Sequence, residues 1–356
     1  MEHTEDMITM LHQIASPAFL VSGGIITAAN APALQLQLES GGPVMPLLHT
    51  GQEEYANFQN GCLYLTLTIG NTIQSASVTA LDSTHLFVLE QDADQSELRS
   101  MALAAQALRT PLTSIMNIAD RMFPLAAEDD TIQAANQVAR INRGLYQMLR
   151  IVCNMSDAYR YCSDGGLRGE IRDISSLIRE QFDSAAPLIQ KTNLKLRFTG
   201  LQETIFGLVD AEKLERAISN ILSNAIKYTP NGGCIEARLT RRGKMLYLTV
   251  QDSGNGIPPS MMGNIYHRYQ RIPGIEDGRF GLGLGMVMIR SAASAHGGTV
   301  LMEQGEDFGL RLTMSIAIRQ TGESLVRSPM LRVDYAGELN HLLLELSDCL
   351  PPDCML

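Results

Sequence analysis

Asn220 and Asn224 lie four residues apart on a predicted helix over 211–228, so their amides share one face. Amide oxygens suit Mg²⁺, a hard cation that keeps waters and phosphate oxygens in its octahedron. Lys227, three residues on, is placed to reach phosphates, and Tyr228 to cover a base or ribose. Asp252 ends a predicted strand and is followed by Gly254, Gly256 and Ile257. A carboxylate there accepts a hydrogen bond from the exocyclic amine of adenine, and the glycines let backbone approach the ring. Gly281-Leu282-Gly283-Leu284 then opens another predicted helix, whose N-terminal amides suit phosphate oxygens. Each element alone has a plainer reading: an Asn pair also makes a polar helix face, and Asp-x-Gly-x-Gly also makes a turn. Taken in this order they describe a pocket for Mg·ATP.

Positioning these groups requires an α/β domain over 171–319. Helices are expected near 175–191 and 211–228, with strands near 194–198, 204–207, 234–240, 245–252, 299–303 and 311–318, a mixture that fits an α/β sandwich. Upstream, Leu98, Met101, Ala105, Leu108, Leu112, Ile115, Ala119 and Met122 are spaced alternately three and four apart. Val138, Ile141, Leu145, Met148, Val152, Met155, Tyr159 and Cys162 repeat that rhythm. Two heptad seams predict an antiparallel helical hairpin over 93–162. Its exposed seam is most simply buried against a second copy, as a homodimeric four-helix bundle. Residues 1–92 read as a smaller α+β unit, with strands near 16–21, 24–28, 62–69, 73–79 and 85–90. The tail, 320–356, carries one amphipathic candidate at 337–346, expected to pack on the body of the protein. The fold class is thus α+β and multidomain.

The nucleotide elements, with Asp210-x-x-Lys213-Leu214 before them, resemble those of bacterial sensor histidine kinases, the kinase branch of the GHKL ATP-binding superfamily. The segment Gln106-Ala-Leu-Arg-Thr110-Pro111-Leu-Thr-Ser-Ile115 resembles the same family's phosphoacceptor helix, and the N-terminal strand order weakly resembles a PAS input domain. The match covers residues 93–319. It implies ATP and Mg²⁺ as cofactors, Asn220 and Asn224 on the metal, and a flexible lid over 272–280. The stretch Ile265-Tyr266-His-Arg268-Tyr269-Gln-Arg271 resembles the family's aromatic segment; Tyr269 then lies at the nucleotide, and Arg271 is the candidate for gripping the terminal phosphate. Arg279 stands where the family usually has one more glycine. A water-activating glutamate in the related ATPases corresponds here to Asn220, so efficient hydrolysis is not expected.

One departure bears on the reaction. The family carries His-Glu where this chain has Gln106-Ala107. Phosphorylation needs an imidazole nucleophile. An amide is a poor one, Ala107 offers no base, and no histidine occurs between Leu86 and Tyr266. The expectation is a pseudokinase regulator, acting on a response regulator or another kinase. Two alternatives stay open. Thr110 sits where the family's threonine helps place a water for dephosphorylating a response regulator, so phosphatase activity is one. Phosphorylation of a histidine on a partner is the other.

Composition narrows the classes. With 356 residues and 45% hydrophobic content, the chain has room for several packed domains. Net charge is −10 without a Lys/Arg-rich run, which speaks against a nucleic-acid partner. The six cysteines form no Cys-x-x-Cys pair, as expected of reduced thiols. The uncharged stretch 14–38 is interrupted by Pro17, Gly23-Gly24, Asn30 and Pro32, so no membrane span is expected. Met1–Asp6 lacks a basic leader start, and a cytoplasmic protein is expected.

Overall fold

The computed structural model describes residues 2–90, 105, 108, 112–113, 115, 131–163, 167, 169–257, 284–305, 308–319 and 340–355. Helix α1 (Glu2–Gln13) precedes strands β1 (Ala18–Ser22) and β2 (Ile25–Ala29). Two short helices follow, α2 (Ala31–Gln35) and α3 (Gln52–Ala56), then β3 (Cys62–Ile69), β4 (Thr72–Leu81) and β5 (Thr84–Leu89). These strands lie in the order β2-β1-β5-β4-β3, all neighbours antiparallel. Phe19, Leu63, Leu65, Leu67, Val78 and Phe87 fill the core of this unit, and Phe19 stacks on Phe87 at 4.8 Å.

Residues 105, 108, 112, 113 and 115 are helical, and Leu112 packs beside Leu145, Leu149 and Cys153 of the long helix α4 (Thr131–Ser163). On α4 the heptad positions divide. Val138, Leu145 and Val152 are buried, whereas Ile141 and Met148 are exposed, together with Ile151. The helix therefore turns one apolar face into the molecule and leaves a second one outward.

The second domain begins with β6 (Glu170–Asp173), a strand beyond those expected, which pairs with β8 (Phe206–Val209) in a two-stranded sheet. Between them run α5 (Ile174–Gln190) and β7 (Lys195–Thr199). Then come α6 (Ala211–Tyr228), β9 (Cys234–Arg242), β10 (Met245–Asp252), α7 (Gly285–Ala295), β11 (Val300–Gln304) and β12 (Leu310–Ala317). Phe182, Leu214, Ile218, Ile221, Leu248 and Met314 belong to one apolar core between α5–α7 and the sheet. Alternate residues of β10 (Leu246, Leu248, Val250, Asp252) are buried, the period-two pattern of a strand with one covered face.

The two units share one sheet. Its order is β2-β1-β5-β4-β3-β11-β12-β10-β9-β7, joined by antiparallel pairing of Tyr64, Leu63 and Cys62 with Val300, Leu301 and Met302. Only β7–β9 is parallel. Beside the joint, Arg290 of α7 is buried, ion-paired with Glu90 and set 5.3 Å over the Tyr64 ring.

The tail returns to the body. Helix α8 (His341–Leu346) and a 3₁₀ turn (Pro352–Met355) pack against α4 and α6 through Leu342, Leu344, Leu346 and Leu350. Asn340 caps α8 by accepting from the N–H groups of Leu342 and Leu343.

Candidate functional site

Helix α6 carries the first group of site residues. Its start is fixed by Asp210, whose Oδ1 accepts from Lys213 N at 3.1 Å, a cap that contributes about 1 kcal/mol. Glu212 in the first turn and Lys227 in the last complement the helix dipole, and Pro230 follows its end. Leu214, Ala217, Ile218, Ile221, Leu222 and Ala225 recur at helical spacing and bury one side. Arg216, Asn220, Ser223 and Lys227 consequently share the opposite face.

Asn220 is 1% exposed. Its Nδ2 donates to the Arg216 carbonyl at 2.9 Å, while among the described residues its Oδ1 accepts no hydrogen bond. That orphaned oxygen lies at the start of α7: a Cβ placed on Gly285 would sit 2.9 Å from it. Asn224 is half-buried, with Nδ2 4.0 Å from the Met286 sulfur. The N-cap of α7, Leu284, is buried and supplies no side-chain acceptor to the first-turn amides. Asn220 and Asn224 thus meet the positive end of a helix, where anionic oxygens are stabilised.

Asp252 closes β10 and is buried. Its Oδ1 accepts from Gly254 N at 2.8 Å and Leu310 N at 3.2 Å; among the described residues Oδ2 accepts none. Burial raises its pKa above the usual carboxylate value, against the lowering effect of those two amides. Gly254 sits so close to the Tyr228 carbonyl that a Cβ would collide with it, and Gly256 has a positive φ of 68°. Ile257 is buried, and its N–H donates to Gln304 Oε1 at 3.2 Å. Tyr228 is half-buried, with its phenol pKa raised by burial.

The structure thus brings together Asn220, Asn224, Tyr228, Asp252, Gly254 and Leu284. Gln106, Thr110, Tyr269, Arg271, Arg279, Gly281, Leu282 and Gly283 lie outside the described residues. Lys227 is placed differently from the sequence expectation of a phosphate-ready amine: its Nζ pairs with Asp348 of the tail at 3.0 Å. His296 caps α7 and is buried; its Nε2 accepts from Asp210 N at 3.0 Å, a structural role.

An ionic cluster that sequence reading missed surrounds Lys227. Arg150 of α4 pairs with Glu345 at 3.2 Å and with Asp348, and donates to Ser223 Oγ. Arg216 pairs with Glu345 at 2.9 Å and with Asp157 of α4 at 2.6 Å. The arginines, Glu345, Asp348 and Asp157 are all buried. The visible signal was a Glu-x-x-Asp pair at the end of an apolar helix candidate, but pairing it with Arg150, 195 residues away, requires the fold.

A sheet backed by α5–α7, with paired Asn residues at one helix start and a buried Asp at the end of β10, is the frame of a GHKL-type ATPase domain. The family profile described as "Histidine kinase-, DNA gyrase B-, and HSP90-like ATPase" matches residues 209–320. Sensor histidine kinase WalK of Bacillus subtilis is 24% identical over 246 residues, covering 66% of this chain and 39% of WalK. Histidine protein kinase DivJ of Caulobacter vibrioides is 28% identical over 251 residues, covering 64% and 40%. Hybrid signal transduction histidine kinase D of Dictyostelium discoideum is 26% identical over 236 residues, 63% of this chain and 15% of that protein. The crystal structure of full-length ShkA in complex with AMPPNP aligns with a TM-score of 0.50 at 20% identity, over 63% of this chain and 46% of ShkA, a likeness of fold. Residues 209–320 thus carry a histidine kinase-type ATPase domain, and the chain is similar to histidine kinases over about two thirds of its length. It spans less than half the length of these three curated relatives.

Among the described residues, no helix is long and apolar enough to cross a membrane, and no cluster of three His, Cys, Asp or Glu could hold a metal ion.

Proposed function

We propose that this chain is a Mg·ATP-binding regulator of two-component signalling that does not phosphorylate itself at the usual position. The observation that carries this reading is the pairing of a complete set of nucleotide groups with Gln106-Ala107 in place of His-Glu. The uncommitted, buried Asn220 Oδ1 suits a hard cation, and with Asn224 it would hold Mg²⁺, which neutralises phosphate charge. Oδ2 of Asp252, unbonded among the described residues, is available to the adenine amine, and the α7 amides receive phosphate oxygens. ATP would act by favouring one arrangement of the ATP domain on the hairpin over another.

The same reading includes a PAS-like input unit over 1–92, a homodimer through the outward face of the hairpin, and a response regulator or second kinase as partner. The strand order β2-β1-β5-β4-β3 supports the first, and exposed Leu108, Ile115, Ile141 and Met148 support the second. Similarity to sensor histidine kinases over about two thirds of the chain supports the third.

Incubating the protein with Mg²⁺ and γ-labelled ATP tests the reading. No protein-bound label is expected, alongside nucleotide binding that Asp252→Ala abolishes. Acid-labile, alkali-stable label would show that a histidine is used and overturn it.

A further inference from the structure

The polar face of α6 is occupied by the chain's own C-terminal segment. Asp348 Oδ2 lies 3.0 Å from Lys227 Nζ, and Glu345 Oε2 lies 3.5 Å from Asn220 Nδ2. Both carboxylates also bind Arg150 of α4, and Arg143 of α4 donates to the Ser347 and Asp348 carbonyls. Arg216 completes the bridge by holding Glu345 and Asp157. The segment therefore does two things at once. It covers Lys227, assigned to phosphate, and lies against the amide nitrogen of Asn220, and it ties the ATP domain to the hairpin helix.

Charge balance shows what could replace it. Arg150, Arg216 and Lys227 each bind a carboxylate of the segment, Glu345 or Asp348. Removing those two carboxylates takes negative charge from three cations at once. Losing buried counter-charge is unfavourable, so an anion from another source is favoured in its place. A polyphosphate carries the required charge and the oxygen geometry that arginine and lysine grip. A cleft of about 400 Å³ opens beside the segment, with Arg143, Lys191, Lys227 and Asp348 on its walls, so an incoming anion meets further cations there.

We propose that residues 340–355 form an autoinhibitory plug in which Asp348 stands in for a nucleotide phosphate at Lys227 while Glu345 crowds Asn220. Nucleotide and plug compete for these groups. Binding of Mg·ATP expels the segment, and with it the bridge through Arg150 that fastens the ATP domain to α4. The proposal rests on the nucleotide reading of Asn220 and Lys227 given above.

Two cysteines report the position of the plug. Cys349 packs on Ser223, 3.5 Å from its hydroxyl, and Cys354 is buried; burial raises both thiols. In the full wild-type chain, maleimide labelling of Cys349 and Cys354, mapped on the C-terminal peptide, is expected to quicken about tenfold at saturating Mg·ATP. Asp348→Asn is expected to tighten Mg·ATP binding by about tenfold, because a larger fraction of the protein is then open. Equal affinity in wild type and Asp348→Asn, with labelling unchanged by nucleotide, would overturn the plug. Binding only in Asp348→Asn, or in a chain ending at residue 339, would establish it. Binding in none of the three would overturn the nucleotide reading itself, and the competition with it.

Discussion

At the residue scale, His296 shows how a buried titratable group reports on the ATP domain without taking part in its chemistry. Its Nδ1 bonds the Ala292 carbonyl at 2.7 Å and its Nε2 accepts from Asp210 N, so the ring is neutral with the proton on Nδ1. Burial lowers its pKa from 6.5 to about 4. The unfolded chain takes up a proton near 6.5, whereas the folded one resists until about 4. Stability is therefore complete above 6.5 and falls as pH drops towards 4, by about 3 kcal/mol at most. Denaturation midpoints measured across this window should show that slope. His296→Leu should flatten it while costing about 1–3 kcal/mol at pH 7, because Asp210 N–H loses its acceptor. An unaltered slope in the variant would reject the assignment. Asp252, raised by burial, works in the opposite sense, so the difference between the two proteins isolates the histidine. The residues proposed for nucleotide stood out in the sequence because each depends on local spacing: Asn220, Asn224 and Tyr228 on one helix, Asp252 and Gly254 on one turn. The plug and Arg150 were not, since ion pairs between distant segments leave no periodic trace.

Most elements could be read from periodicity, and the places where reading fell short have physical reasons. Strand β3 and helix α6 carry strong alternation or helical spacing and fall where expected. Strand β6 is four residues long and half-exposed, too short for alternation to register. Helix α1 is polar through its first half and gave no apolar stripe. The junction of β3 with β11 is also silent in sequence, because pairing of strands from different domains depends on edges meeting in space. Gly61 marks that junction. Its φ is 88°, and a Cβ there would press into the Met302 carbonyl. Gly61→Ala should strain the joint by about 1–3 kcal/mol. Amide hydrogen exchange at Val300–Met302 should then quicken while the two cores keep their protection. Equal exchange in both proteins would show that the joint tolerates the side chain.

At the scale of the whole molecule, the division of α4 into an inward and an outward face sets the expected assembly. Ile141, Met148 and Ile151 are 51%, 45% and 36% exposed, beside Leu108 at 53% and Ile115 at 50%. Burying such a stripe against a second copy gains roughly 25 cal/mol per Å² of apolar surface. Sedimentation should show a dimer for the wild type, and Ile141→Glu with Met148→Glu should shift it to monomer. A monomeric wild type would leave the outward face for another partner. The heptad rhythm made this seam legible, but not that Val138, Leu145 and Val152 would turn inward, since that follows from the docked tail and ATP domain.

The shared sheet has one more consequence, for anyone who cuts the molecule. Two separate sheets would have four open edges, whereas the fused one has two, at β2 and β7. A fragment starting after residue 90 uncovers β11 along the three residues that β3 had capped, Val300, Leu301 and Met302, all apolar. Such an edge recruits other strands. The fragment should precipitate or form aggregates at concentrations where the intact chain stays dispersed, so the N-terminal unit also acts as a solubility cover for the ATP domain.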